Sequence, residues 1–262
     1  MADADEFLRA GDVAGARSAL VETIKASPQD QRARIYLFQL LCVMGDWDKA
    51  RTHLRSLAQL SPEAQMLSVA YGQAIDAEIA RAAAFAGQAP FHAAIVTSPW
   101  VEQLAQALTL EAQGRANEGA ALREAAFEAA GDTPGEIDGQ AFTWIADADA
   151  RFGPTFEAIF QGRWGLIPFE AVSQIRTEGP LDLRDIVWLP AELELRSGQS
   201  VAVMLPARYP GTEAESDGDL RLGRSTEWRP SAIGDQGVGQ RLWTLSGGED
   251  VPLYSFRKLV MV

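Results

Sequence analysis

The feature that most constrains this chain is a self-similarity at an offset of 34 residues near its start. Gly11-Asp12 recurs as Gly45-Asp46, Ala16-Arg17 as Ala50-Arg51, Leu20 as Leu54, and Ser27-Pro28 as Ser61-Pro62. That period is the one used by tetratricopeptide repeats, antiparallel helix pairs that bury their apolar faces only against neighbouring pairs. On this reading Gly11 and Gly45 turn helix A into helix B, and Ala16 and Ala50 sit where two helices approach closely. Pro28 and Pro62 open the next pair, and the A helices pack through Leu37, Leu40 and Leu41. The pattern then decays. One period beyond Gly45 stands Ile79, so the helix opened by Pro62 is expected to run unbroken to about Ala86. A looser helical pair over 101–113 and Ala116–Ala130 follows an extended connector at 87–99. A short helical stack of this kind is either a groove for a peptide or helix ligand or a plain scaffold.

The composition changes near Thr133-Pro134-Gly135. Residues 1–134 hold 32 alanines and 8 glycines, whereas 135–262 hold 11 alanines and 15 glycines. Alanine favours helix, while glycine and proline punctuate short strands. The expected division is therefore a helical-repeat domain over 1–134 and a mixed, largely antiparallel α+β domain over 135–262. Strands are expected at 141–146, 163–169, 173–178, 189–196, 200–205, 241–245 and 253–262. Helices are expected at 154–161, behind Pro154, and around 219–222, with a turn or single helical turn at Asp182-Leu-Arg-Asp185.

Charge and residue inventory narrow the function. A formal charge of −13 repels phosphate backbones and anionic lipid, and no run of Lys and Arg offsets it. Neither nucleic acid nor membrane is an expected partner. No stretch approaches the ~20 apolar residues of a membrane span, and the acidic start does not resemble a signal peptide, so the expected compartment is a reducing cytoplasm. The single cysteine, Cys42, lies within Leu40-Leu-Cys-Val-Met44 and reads as a buried thiol. His53 and His92 fall into no metal spacing, and no G-x-S-x-G elbow is present. The stretch Glu213-Ala-Glu-Ser-Asp217-Gly218 imitates the opening of a calcium loop, but Arg224 stands where the closing bidentate Glu belongs. No metal and no cofactor are expected. Asp147 with Asp149, and Asp182 with Asp185, could supply paired carboxylates for metal or acid–base chemistry, or could equally cap helices or pair with Arg151, Arg184 and Arg208. The segment Gly234-Asp-Gln-Gly-Val-Gly239 lacks the Lys-Ser/Thr of a phosphate loop and reads as a flexible loop. In Pro206-Ala-Arg-Tyr-Pro-Gly211, Arg208 and Tyr209 follow an apolar strand at a turn. They are either a recognition site or a pin, with Arg208 salted to Glu213 or Asp217.

With these segments collected, the chain resembles the ImpE (TagJ) family of type VI secretion accessory proteins. The resemblance rests on Phe38-Gln-Leu-Leu-Cys-Val-Met-Gly-Asp-Trp47, Trp144-Ile-Ala-Asp-Ala-Asp149, Arg151-Phe-Gly-Pro154 and Trp164-Gly-Leu-Ile-Pro-Phe169. It continues through Asp182-Leu-Arg-Asp-Ile-Val-Trp188, Arg208-Tyr-Pro-Gly-Thr-Glu213, Thr226-Glu-Trp228 and Gly239-Gln-Arg-Leu242. It implies a non-catalytic adaptor that binds a helix of the small contractile-sheath subunit and modulates sheath assembly or its disassembly by an AAA+ unfoldase. It transfers no active site. The partner-binding candidates are Arg34 and Phe38 in the repeats, and Trp164, Arg184, Asp185, Arg208, Tyr209, Glu213 and Asp217 in the second half. The alternative is an undescribed hydrolase or small-ligand binder built around Arg208, Glu213 and Asp217.

Overall fold

The computed structural model describes residues 2–59, 62–95 and 98–262. Two helix pairs open the chain, α1 (Ala2–Arg9) with α2 (Val13–Ala26) and α3 (Gln31–Val43) with α4 (Trp47–Leu57). Their turns are built alike, atom for atom. Gly11 and Gly45 sit at φ +76° and +69°, the left-handed region that favours glycine. The amides of Gly11, Asp12 and Val13 donate to the carbonyls of Leu8, Phe7 and Gly11. Shifted by 34 residues, those of Gly45, Asp46 and Trp47 donate to Cys42, Leu41 and Gly45. Ala16 and Ala50 are both fully buried, as are Leu37, Leu40 and Leu41 to within a few per cent. The match is geometric more than chemical at one position: Asp12 caps α2 through the Gly15 amide, while Asp46 pairs with Lys49 instead. Pro28 lies ahead of Asp30, which caps α3, so it precedes the next helix without opening it. Pro62 does begin α5 (Pro62–Phe85), the unbroken helix expected there; Ser61, in the matched Ser61-Pro62, lies outside the described residues.

Helices α6 (Pro99–Ala112) and α7 (Ala116–Ala130) form the looser pair. Between α5 and α6 the connector passes beside an edge strand, β5 (Arg163–Pro168). The Ala94 amide donates to Leu166 O and the Leu166 amide to His92 O, so the exposed edge is covered. Val96 and Thr97 of that connector lie outside the described residues.

The second half contains an eight-stranded antiparallel sheet of order β2-β1-β13-β6-β7-β8-β4-β5. Its strands are β1 (Gly135–Ile137), β2 (Gln140–Phe142), β4 (Thr155–Phe160), β5, β6 (Val172–Arg176), β7 (Trp188–Leu195), β8 (Ser200–Pro206) and β13 (Lys258–Met261). A hairpin of β9 (Thr226–Arg229) and β10 (Gln236–Gly239), and a small sheet of β12 (Asp250–Pro252), β11 (Leu242–Leu245) and β3 (Ile145–Asp147), complete it. A short helix, α8 (Gly218–Arg221), falls where one is expected.

Several expectations are corrected. The helix expected at 154–161 is replaced by strand β4: Gln161 and Gly162 both take positive φ, +49° and +75°, and make the tight hairpin turn into β5. The aromatic and β-branched content of Thr155-Phe-Glu-Ala-Ile-Phe160 outweighs the helix-start signal of Pro154. The expected strand over 141–146 breaks at Thr143-Trp144 into β2 and β3, which belong to different sheets. The expected strand over 253–262 shortens to β13. The expected loop at 234–239 contributes β10, whose Gly237 amide donates to Asp149.

Strands β7 and β8 alternate as half-buried strands do. Leu189, Leu193, Val201 and Leu205 enter a core shared with Phe156, Phe169 and Trp243. The other face begins at Trp188, which is packed under α5 through Tyr71 at 5.9 Å between ring centroids. A second apolar cluster gathers α1–α5 with Phe152, Ile159, Trp164, Trp188, Tyr209 and Leu222, so it runs across the junction of the two halves.

Candidate functional site

Where α5 crosses the sheet, its Glu78 and Arg81 enter a buried polar network. Arg81 donates through Nε and Nη2 to both oxygens of Glu157 on β4, at 2.7 and 2.9 Å, and through Nη1 to Glu78 at 3.2 Å. Arg241 donates to the same Glu157 and to Asp147. Trp164 Nε1 donates to Glu157 at 2.7 Å, Trp188 Nε1 to Glu78 at 3.0 Å, and the Tyr209 hydroxyl to Asp147 at 3.2 Å. Asp149 is held by Arg151 at 2.6 Å. Burial alone would raise the Glu157 carboxyl, but Arg81 and Arg241 override it and hold it down to about 2. Asp147 behaves differently: burial pushes it up to about 7, against the pull of Arg241 and with help from Asp149. Arg241 keeps its proton, since Asp147 and Glu157 outweigh its own desolvation.

This network explains most of the candidate residues. Trp164, Tyr209 and Arg208 are buried within or beside it, and Phe38 is fully buried against Tyr71. None of these four side chains presents a free surface to a partner. Arg208 does not pair with Glu213 or Asp217; its Nη1 donates to the carbonyls of Val43 at 2.9 Å and Arg221 at 2.5 Å. Val43 is the last residue of α3, where helix carbonyls lack partners and favour a cation. One repeat earlier the equivalent residue is Arg9, whose carbonyl, with that of Leu8, accepts from Arg224. Two arginines of the second half therefore cap the two A helices at positions 34 residues apart.

Glu213 packs against the turn at Gly45, where an added Cβ would lie 2.6 Å from its Cγ. Asp217 caps α8 through the amides of Asp219 and Leu220, and Arg34 donates to Pro28 O at 2.8 Å within its own repeat. Asp182 and Asp185 form a capping box around the single 3-10 turn Leu183–Ile186. Arg184, on that turn, pairs with Asp182 and donates to the Tyr71 hydroxyl at 2.7 Å. The turn packs on α3, and residues 37–43 of α3 are buried without interruption. That buried half of α3 has no face left for a ligand. Over residues 37–43 the expected repeat groove is thus filled by the chain's own 182–188 segment, while an opening of about 490 Å³ remains among Asp5, Leu8, Tyr36, Leu183 and Ile186.

The carboxylates that suggested acid–base chemistry are spent on arginines. Beside them the cavity lined by Trp47, Glu78, Arg81, Val187, Arg208, Tyr209 and Glu213 holds about 10 Å³, room for one water. Among the described residues no group of His, Cys, Asp and Glu is arranged to hold a metal ion. The Cys42 thiol is raised chiefly by burial, which leaves it a poor nucleophile.

The larger opening lies on the outer face of the sheet. Beyond Trp188 that face is left uncovered by α5, and a groove of about 650 Å³ runs between Ala70, Gln73 and Ala74 of α5 and Pro190, Glu192, Ala202 and Met204 of β7 and β8. Sequence reasoning missed it, although the alternation in β7 puts Pro190 outside the buried positions. It also missed Glu78, Arg81, Glu157 and Arg241, whose only signal was charge inside apolar surroundings.

These features define a class: a tetratricopeptide-type helical stack whose A helices are capped and covered by an antiparallel α+β unit of the same chain. A tetratricopeptide-repeat family model matches residues 7–70, and the model described as ImpE protein matches residues 139–260. The type VI secretion system accessory component TagJ of Pseudomonas aeruginosa is 43% identical over 258 residues, 98% of this chain and 90% of that protein. The chain belongs to the ImpE family. The crystal structure of protein VPA1032 from Vibrio parahaemolyticus has the same fold, with a TM-score of 0.86 at 22% identity over 99% of this chain and 97% of that one.

Proposed function

We propose that this chain is a non-enzymatic accessory adaptor of a bacterial type VI secretion system, acting in the cytoplasm. In this reading it binds a helix of the small contractile-sheath subunit and modulates sheath assembly or unfoldase-driven disassembly. The observation that carries the proposal is the full-length relation to a curated accessory component of such a system. The helical-repeat scaffold supports a protein partner. Against the hydrolase or small-ligand reading built around Arg208, Glu213 and Asp217 stand the Arg208 bonds to the Val43 and Arg221 carbonyls, the Asp217 cap on α8 and the water-sized cavity beside Arg208 and Glu213. No helix among the described residues is long and apolar enough to cross a membrane. Calorimetric titration of the intact chain with the small sheath subunit of the same organism tests the reading. Saturable binding is expected; an absence of heat, confirmed by a failed co-purification, would overturn it.

A further inference from the structure

Residues 182–188 fill the face of α3 over 37–43, and the uncovered sheet face beside α5 offers a groove of about 650 Å³, against about 490 Å³ for the opening left at Asp5, Tyr36 and Leu183. The first turns of α5 carry Met66 and Val69 at 77% and 64% exposure, large apolar side chains with no core to fill. They follow the helical spacing that leads to Gln73 on the groove wall. The floor, Pro190, Ala202 and Met204, is apolar, and its strands are paired with each other from Trp188↔Pro206 to Glu194↔Ser200. A segment lying on that floor meets side chains, not free backbone groups. It must therefore satisfy its own amides and carbonyls, which a helix does and an extended strand does not. The charged groups lining the groove are Glu178, Glu192 and Arg176, two acids against one base, in a chain of net charge −13.

We infer that the groove between the first half of α5 and the outer face of β7 and β8 docks an amphipathic helix of a partner protein. That helix lays an apolar stripe over Ala202 and Met204, and flanks it with basic residues facing Glu178 and Glu192. The inference rests on the reading that the chain binds a protein partner, and it supplies the surface and the chemistry.

The test uses the intact chain and two probes, the small sheath subunit and a synthetic amphipathic helix of leucine and lysine, with a leucine–glutamate helix as the charge control. Ala202→Arg and Gln73→Lys place cations in the groove at exposed positions, and Arg34→Ala is the control outside it; thermal unfolding checks each fold. Both probes are expected to bind the wild type and the control alike. Each groove substitution is expected to weaken them by about tenfold or more, a loss typical of a binding hot spot. The lysine helix should gain helical circular dichroism on binding, and the glutamate helix should not bind. Groove-dependent binding of the lysine helix without any binding of the sheath subunit keeps the groove and removes the sheath reading. Sheath binding that ignores both substitutions keeps the function and overturns the groove. Binding of neither probe overturns both.

Discussion

Glu157 is the residue on which the buried network turns, since two guanidiniums and an indole converge on its two oxygens. Removing one member of a buried ion cluster leaves the others uncompensated, at a cost of ~3–5 kcal/mol. Glu157→Gln should lose stability of that order in urea unfolding, and a change of less than ~1 kcal/mol would contradict the assignment. Asp147 supplies a test by pH. Its carboxyl rises from an ordinary 3.8 to about 7 in the folded chain, so the folded state holds a proton that the unfolded state releases. The stability this contributes is complete below 3.8 and is lost as pH rises through 7. Glu157, depressed to about 2 from 4.5, acts in the opposite sense: its contribution is present above 4.5 and is lost as pH falls through 2. Asp147→Asn should therefore flatten the decline of the urea midpoint between those two Asp147 values while sparing the acid loss. An unchanged slope would assign the decline to another group.

At the scale of elements, the repeat turns join the two halves. Gly45 needs glycine twice, for its φ of +69° and for the closeness of Glu213, whereas Gly114 at φ +82° has open space where a Cβ would go. Gly114→Ala should cost the left-handed penalty of ~1–2 kcal/mol alone, and Gly45→Ala should cost more, with part of the excess relieved by Glu213→Ala. Equal losses at the two turns would mean that the segment at Glu213 does not press on the repeat. The repeats were legible because a 34-residue offset repeats the same turn chemistry, and β5 to β8 were legible from alternation between Gly and Pro. Strand β4 was not, because Pro154 starts a helix as readily as it precedes a strand. Positive φ at Gln161 is not written in its residue type. Phe38, Trp164 and Tyr209 stand out in the sequence, but they are packed between the halves, which no local pattern reveals.

On the scale of the whole molecule, the expected boundary at 134 marks a change of secondary structure, and the apolar cluster continues across it. We propose that it does not separate independent folding units: Leu37, Tyr71 and Ile75 share their cluster with Trp188, Tyr209 and Leu222. Heating the intact chain should give one cooperative transition by tryptophan fluorescence and far-UV circular dichroism alike; two resolved transitions would restore a two-domain division. The same packing bears on the central functional proposal, that the repeat face over 37–43 is already covered and a partner helix docks on the open sheet face beside α5. Hydrogen exchange of the intact chain with and without the small sheath subunit tests it most directly. The account predicts new protection over residues 62–74 and 190–204, with 37–43 and 182–188 unchanged. Protection confined to 37–43 and 182–188, or none anywhere, would contradict it.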